Sequence, residues 1–166
     1  MATPTTLPAT FVSAAVLTAA QMNDLRGAFR VLQVVTGSTT AITTSNTDTF
    51  IATNLTATIT PSSTSSKILV FVNHPSCNKT SANQNNSLTL VLQRDLVDIK
   101  TLCVFGGYTN STMNFFFGQT GLFLDSPASV SALTYRTVFS SSLNTAGIIV
   151  QANGVESQIV LMEISA

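Results

Sequence analysis

The chain has 166 residues, of which only 8% are charged, about a third of the share usual in soluble domains, and seven Lys and Arg balance seven Asp and Glu. Ser and Thr, about a quarter of the residues, supply the polarity instead. This excludes a nucleic-acid binder that works by phosphate neutralisation, no stretch reaches the roughly 18 apolar residues of a membrane-inserted helix, and a net charge of zero favours association over life as a dispersed monomer.

The length suits one domain with a short appendage. Residues 1–10, with Pro4, Pro8 and four Thr, read as an extended arm that cannot bury itself. The apolar stretch 11–20 follows no positive charge, so it does not read as a signal peptide. Thr18-Ala-Ala-Gln21 fits a capping box, with Leu17 and Met22 placed as a hydrophobic staple. Met22, Leu25 and Phe29 then fall on one helical stripe. A helix of about ten residues does not persist alone in water. Its stripe must pack on the domain, on copies of itself or on another protein.

From Val31 the period changes to two. In 54–61, Leu55, Ala57 and Ile59 point one way and Thr56, Thr58 and Thr60 the other. Further strands are expected at 68–72, 88–93, 99–105, 113–117, 121–124, 132–139, 147–152 and 158–164, with a tight hairpin at 94–98. Turn residues separate them, at 61–66, Gly106-Gly107, Asp125-Ser-Pro127, Ser140-Ser-Ser142 and Asn153-Gly154. Eight or nine short strands without helical spacing predict an antiparallel all-β sandwich or barrel over 31–166. The runs Ile68-Leu-Val-Phe-Val72, Ile148-Ile-Val150 and Ile159-Val-Leu-Met162 are apolar on both faces. A lone sandwich should keep one polar face. The second face is therefore expected in a subunit interface, with Phe115, Phe116, Phe117, Ile149 and Leu161 as interface residues.

No catalytic residue, cofactor site or metal site emerges, and a non-enzyme is expected. His74, the only histidine, lies in Val72-Asn-His-Pro75 and reads as a polar strand-end residue, because no second His completes a metal site. Asp95 and Asp98 flank the hairpin, where Asp bonds the local backbone; an ion site there would need more carboxylates. Asp125, Glu156 and Glu163 are too scattered to nominate a glycosidase pair. Cys77 and Cys103 are expected as reduced thiols, consistent with synthesis in a cytoplasm. Four Asn-X-Ser/Thr matches are expected by chance in a chain of this composition.

The order of 11–23 (FVSAAVLTAAQMN), 31–35 (VLQVV), 59–70 (ITPSSTSSKILV), 92–95 (LQRD), 123–127 (FLDSP), 133–136 (LTYR) and 159–164 (IVLMEI) resembles tail-fibre-like structural proteins of tailed bacteriophages. The resemblance implies a virion protein, assembled in the host cytoplasm, with a homotrimeric jelly-roll head of the kind seen in complement and tumour-necrosis-factor-like domains. It implies that residues 1–30 bind other virion proteins, with Leu17, Met22, Leu25 and Phe29 as attachment or trimer-helix positions. A host-surface glycan is a further partner that it allows. Only about 30 residues precede the head, where a long fibre has a shaft. A short fibre or a capsid decoration protein therefore fits better, and a freestanding lectin module is the alternative from another class.

Overall fold

The computed structural model describes residues 31–80, 84–144 and 147–165. The expected arm and capped helix, with Leu17, Met22, Leu25 and Phe29, lie outside the described residues. The strands are β1 (Val31–Thr39), β2 (Thr43–Ser45), β3 (Ile51–Ile59), β4 (Lys67–Lys79), β5 (Leu88–Arg94), β6 (Val97–Gly106), β7 (Phe115–Asp125), β8 (Leu133–Ser141), β9 (Ile148–Val150) and β10 (Ser157–Ile164). A one-turn 3₁₀ helix, Ala152–Gly154, separates β9 from β10.

Every strand pair is antiparallel. Six strands form one sheet in the order β1-β10-β4-β9-β2, with β7 on the other edge of β4; β3-β8-β5-β6 form the second. β10 pairs with β4 over 67–73 and β9 pairs with it over 77–79, so β9 and β10 are one interrupted strand. β2 extends β1 in the same way, since it pairs with β9 as β1 pairs with β10. Numbered as eight strands, the two sheets then run 1-8-3-6 and 2-7-4-5. This is a jelly roll.

The alternation in β3 sets its orientation: Leu55, Ala57 and Ile59 are buried between the sheets, while Thr56 and Thr58 face solvent. Ile68, Val70 and Val72 from β4 and Ile159 and Leu161 from β10 meet them, with Leu92, Leu133 and Tyr135 from the second sheet. A smaller core of Cys77, Leu88, Leu90, Phe139, Ile148 and Val150 fills the other end. Asp95 and Leu96 close the β5–β6 hairpin with φ of 49° and 71°, as a two-residue type I′ turn requires.

Two sequence expectations change. β4 does not stop at His74 but runs through Pro75 to Lys79. Pro75 lies opposite the gap between β9 and β10 and at a register shift against β7, so its missing N–H breaks no ladder bond. The segments 113–117 and 121–124, read as two strands, are parts of one strand, because Gln119, Thr120 and Gly121 stay paired with β4. Cross-strand pairing overrides the weak strand propensity of Gly118 and Gly121.

β1 crosses closely over β3 at Gly37, where a Cβ would stand 1.9 Å from the Thr56 carbonyl oxygen and 3.2 Å from Ile159 Cγ2. Gly37→Ala should therefore destabilise the fold by about 1–3 kcal/mol, seen as a lower denaturant midpoint at unchanged slope. An unchanged midpoint would contradict the close approach.

Candidate functional site

The outer face of the six-stranded sheet is the candidate site, and it follows from the strand register. Val34, Met162, Leu69 and Leu124 form one row across β1, β10, β4 and β7. Thr36, Val160, Phe71 and Leu122 form the next, and Ser38, Gln158, Asn73 and Thr120 the one after. These rows alternate with the buried Val70, Val72, Ile159 and Leu161, so their side chains point away from the core. Phe71 is 42% exposed, Leu122 58% and Val34 53%. A cleft of about 320 Å³ lies among them, lined by Phe71, Thr120, Leu122, Gln158 and Val160. A second depression of about 190 Å³, lined by Ile42, Asn78, Phe116, Ile149, Ala152 and Asn153, continues the face toward the end of β4. Asn78 is buried there, and its Nδ2 donor has no partner among the described residues. A covering chain that offered a carbonyl would satisfy it.

The outer face of the four-stranded sheet is the opposite in character. Thr56, Arg136, Gln93 and Asp98 form a row across it. Arg136 Nε donates to Gln93 Oε1 at 2.8 Å, and Gln93 Nε2 donates to Asp98 Oδ1 at 2.7 Å. The Thr58 and Thr134 hydroxyls pair at 3.0 Å. Its apolar pair Val91 and Val138 is buried, and its exposed valines, Val97 and Val104, are confined to the edge strand β6. One face carries a hydrogen-bonded polar ladder, and the other exposes rows of apolar side chains.

The residues expected at an interface separate accordingly. Phe116 and Ile149 lie on the outer apolar face. Phe117 turns inward against the smaller core, with Phe115 stacked on it at 6.2 Å between ring centroids. Leu161, assigned to an interface from its doubly apolar strand, is fully buried between the sheets. The two-residue period sends odd and even positions of β10 to opposite faces, and Val160 and Met162 take the outer one. Phe71, Leu122 and Val34 also lie on this face and are not among the residues expected there: the run 68–72 is apolar on both faces without showing which residue faces out, and the segments of Leu122 and Val34 carry no such signal.

His74 is not a strand-end residue but the centre of a buried polar layer that separates the two cores. Thr137 Oγ1 donates to His74 Nε2 at 3.1 Å, and the Thr137 and Thr53 hydroxyls are 2.6 Å apart. The Gln151 side-chain oxygen accepts from His74 Nδ1 at 3.0 Å and from Ser157 Oγ at 2.9 Å, while its amide group reaches the Ala41 carbonyl at 3.1 Å. Burial lowers the His74 pKa to about 4, so the ring is neutral. All five side chains are fully buried, which closes this cluster to a substrate.

Other polar groups act as bolts. Burial opposes ionisation of Glu163, but Ser62 and Gln33 outweigh it and hold its pKa at about 2; Ser62 N–H and Oγ donate to Oε1 at 2.7 and 2.6 Å, and Gln33 Nε2 donates to Oε2 at 2.6 Å. Asp125 accepts from Arg94 Nη1 at 2.5 Å and from Tyr135 Oη at 2.7 Å, joining the two sheets. Asp95 Oδ1 accepts from Thr134 N–H, and Asp98 is engaged by Gln93, so both serve the hairpin and its sheet. Among the described residues no three His, Cys, Asp or Glu side chains converge as metal ligands. Cys77 and Cys103 are free thiols, and burial pushes Cys77 up to about 12. No protein-family model matches the chain, and no curated protein sequence matches it.

Both shifted groups make the fold acid-sensitive. The neutral His74 contributes stability that is fully present above pH 6.5 and is lost as pH falls toward 4. The ionised Glu163 contributes stability that is present above pH 4.5 and is lost as pH falls toward 2. Melting temperature should fall through both windows, and Glu163→Gln should flatten the lower one alone. A melting temperature constant from pH 7 to 3 would contradict both assignments.

Proposed function

We propose that this chain is a non-enzymatic structural subunit of a bacteriophage particle. Its jelly-roll head forms a homotrimer through the outer face of the six-stranded sheet and is held on the particle by residues 1–30. The observation that carries the reading is the pair of apolar rows, Val34-Met162-Leu69-Leu124 and Val160-Phe71-Leu122, lying uncovered on one face of a chain with so little charge. Covering half-exposed Phe, Leu and Val side chains contributes roughly 1 kcal/mol each. A cyclic assembly repeats that gain at every interface. The order of strand and turn segments, which resembles that of tail-fibre-like proteins, is what suggests the particle context. Val31 lies at one end of the sandwich, level with Lys67 and Ile164, so attachment there turns the far end of β4 outward.

Light scattering on the full chain tests the assembly. The expected mass is three times that of the chain. Phe71→Asp and Leu122→Asp should each reduce it toward one chain, because an unpaired charge would be buried in the contact, while Thr58→Asp on the opposite sheet should leave it unchanged. A dispersed monomer at high concentration, or variants that retain the full mass, would overturn the reading. Copy number in purified particles separates its two forms: on the order of tens fits a short tail or vertex fibre, and on the order of hundreds fits a capsid decoration subunit.

A further inference from the structure

We infer that Asn73 and Gln158 set the register in which copies of this chain meet, through hydrogen bonds between their side-chain amides and those of a neighbouring copy. The inference rests on the self-association proposed above and names the residues that make one alignment of the contact better than its neighbours.

The row Ser38-Gln158-Asn73-Thr120 is a polar band between two apolar zones of the outer face. On one side lie Val160, Phe71 and Leu122. On the other, beyond the register shift in β4, Ile149 and Phe116 flank Asn78. All four residues of the band are exposed. The cleft of about 320 Å³ is bounded by both chemistries, with Asn73, Thr120 and Gln158 from the band and Phe71, Leu122 and Val160 from the apolar row.

The polar groups of the two sheets are used differently. On the four-stranded sheet, Arg136, Gln93 and Asp98 bond one another and close their own ladder. On the six-stranded sheet, the Asn73 carboxamide makes no hydrogen bond among the described residues, although Gln158 stands directly opposite it on β10. Gln158 Nε2 donates to Glu156 Oε1 at 2.6 Å, which leaves the Gln158 side-chain oxygen as an acceptor. Asn73 supplies two N–H donors and an oxygen. The pair therefore presents complementary groups that its own chain leaves unused.

Charge identifies the occupant as a second copy. None of the residues in the rows that begin at Val34, Thr36 and Ser38 is charged. Glu156, which is exposed, bonds the band through Gln158. Such a face gives a charged partner no counter-charge, and it meets itself without like-charge repulsion within the rows. Amides and hydroxyls both donate and accept, so a band of them is complementary to another copy of the same band.

The band makes the contact selective. Successive rows lie two residues apart along the strands, about 7 Å. The two apolar rows present similar Val, Leu, Met and Phe surfaces, so copies held by them alone can slide by one row with little change in apolar burial. That slide sets Asn73 and Gln158 of one copy against Phe71 and Val160 of the next. There the amides lose water and gain no partner, which disfavours the shifted alignment. A single buried Asn fixes register and copy number in coiled coils by the same penalty.

Native mass spectrometry and light scattering on the full chain test this with two changes at exposed positions, each checked for an unchanged far-ultraviolet circular dichroism spectrum. Asn73→Asp should weaken association by at least about tenfold, because like charges then face one another in the contact. Asn73→Leu combined with Gln158→Leu should keep the copies associated but replace the single trimeric mass with several species or with another copy number. A trimeric wild-type chain in which either change leaves that single mass and its affinity intact would overturn the inference and leave the assembly standing. A wild-type chain that is a dispersed monomer would overturn the assembly and this inference with it.

Discussion

β4 and β10 carry apolar side chains on both faces, and the rest of the molecule is arranged around that constraint. Their inward residues, Ile68, Val70, Val72, Ile159 and Leu161, are covered by the four-stranded sheet. Their outward residues, Leu69, Phe71, Val160 and Met162, have no equivalent cover among the described residues. A strand is compatible with water on one side only if that side is polar. The four-stranded sheet meets this condition with its Thr, Arg, Gln and Asp ladder except at the edge strand β6, where Val97 and Val104 are exposed, and the six-stranded sheet does not. The contrast between two faces of one sandwich carries more weight than either face alone, because a chain that is generally apolar would show no such division.

The scarcity of charge has a second consequence inside the fold. Several of the few ionisable groups hold separate parts together rather than cover the surface. Glu163 joins the turn after β3 to β1 and β10, Asp125 joins the sheets through Arg94 and Tyr135, and Lys79 ties two loops by their carbonyls. Each is satisfied by hydrogen bonds of good geometry, without which burial would be costly. The neutral layer of His74, Thr53, Thr137, Gln151 and Ser157 sits where β9 gives way to β10. Its donors and acceptors fix the register of an interrupted strand that apolar packing alone would leave free to slip.

Much of this was legible in the sequence. The clean alternation of Leu55, Ala57 and Ile59 with threonines identified β3, and the tight connection expected over 94–98 located the hairpin, whose turn the structure narrows to Asp95 and Leu96. The doubly apolar runs located strands of the six-stranded sheet but not the parity of each residue, so Leu161 reads as outward from sequence although it is buried, and Phe71 is not singled out. Parity depends on partners tens of residues away and has no local signal. His74 was misread for a related reason. A histidine before a proline ends a strand in local terms, and only the gap between β9 and β10 lets β4 continue.

Side-chain footprinting of the assembled full chain by carbene labelling and mass spectrometry tests the central claim most directly. If the outer face of the six-stranded sheet is the contact surface, Phe71, Leu122 and Leu124 are protected, while Thr58, Thr134 and Asp98 on the opposite sheet label freely. Equal labelling of the two faces would show that the apolar rows are open to water in the native protein, and would contradict the account.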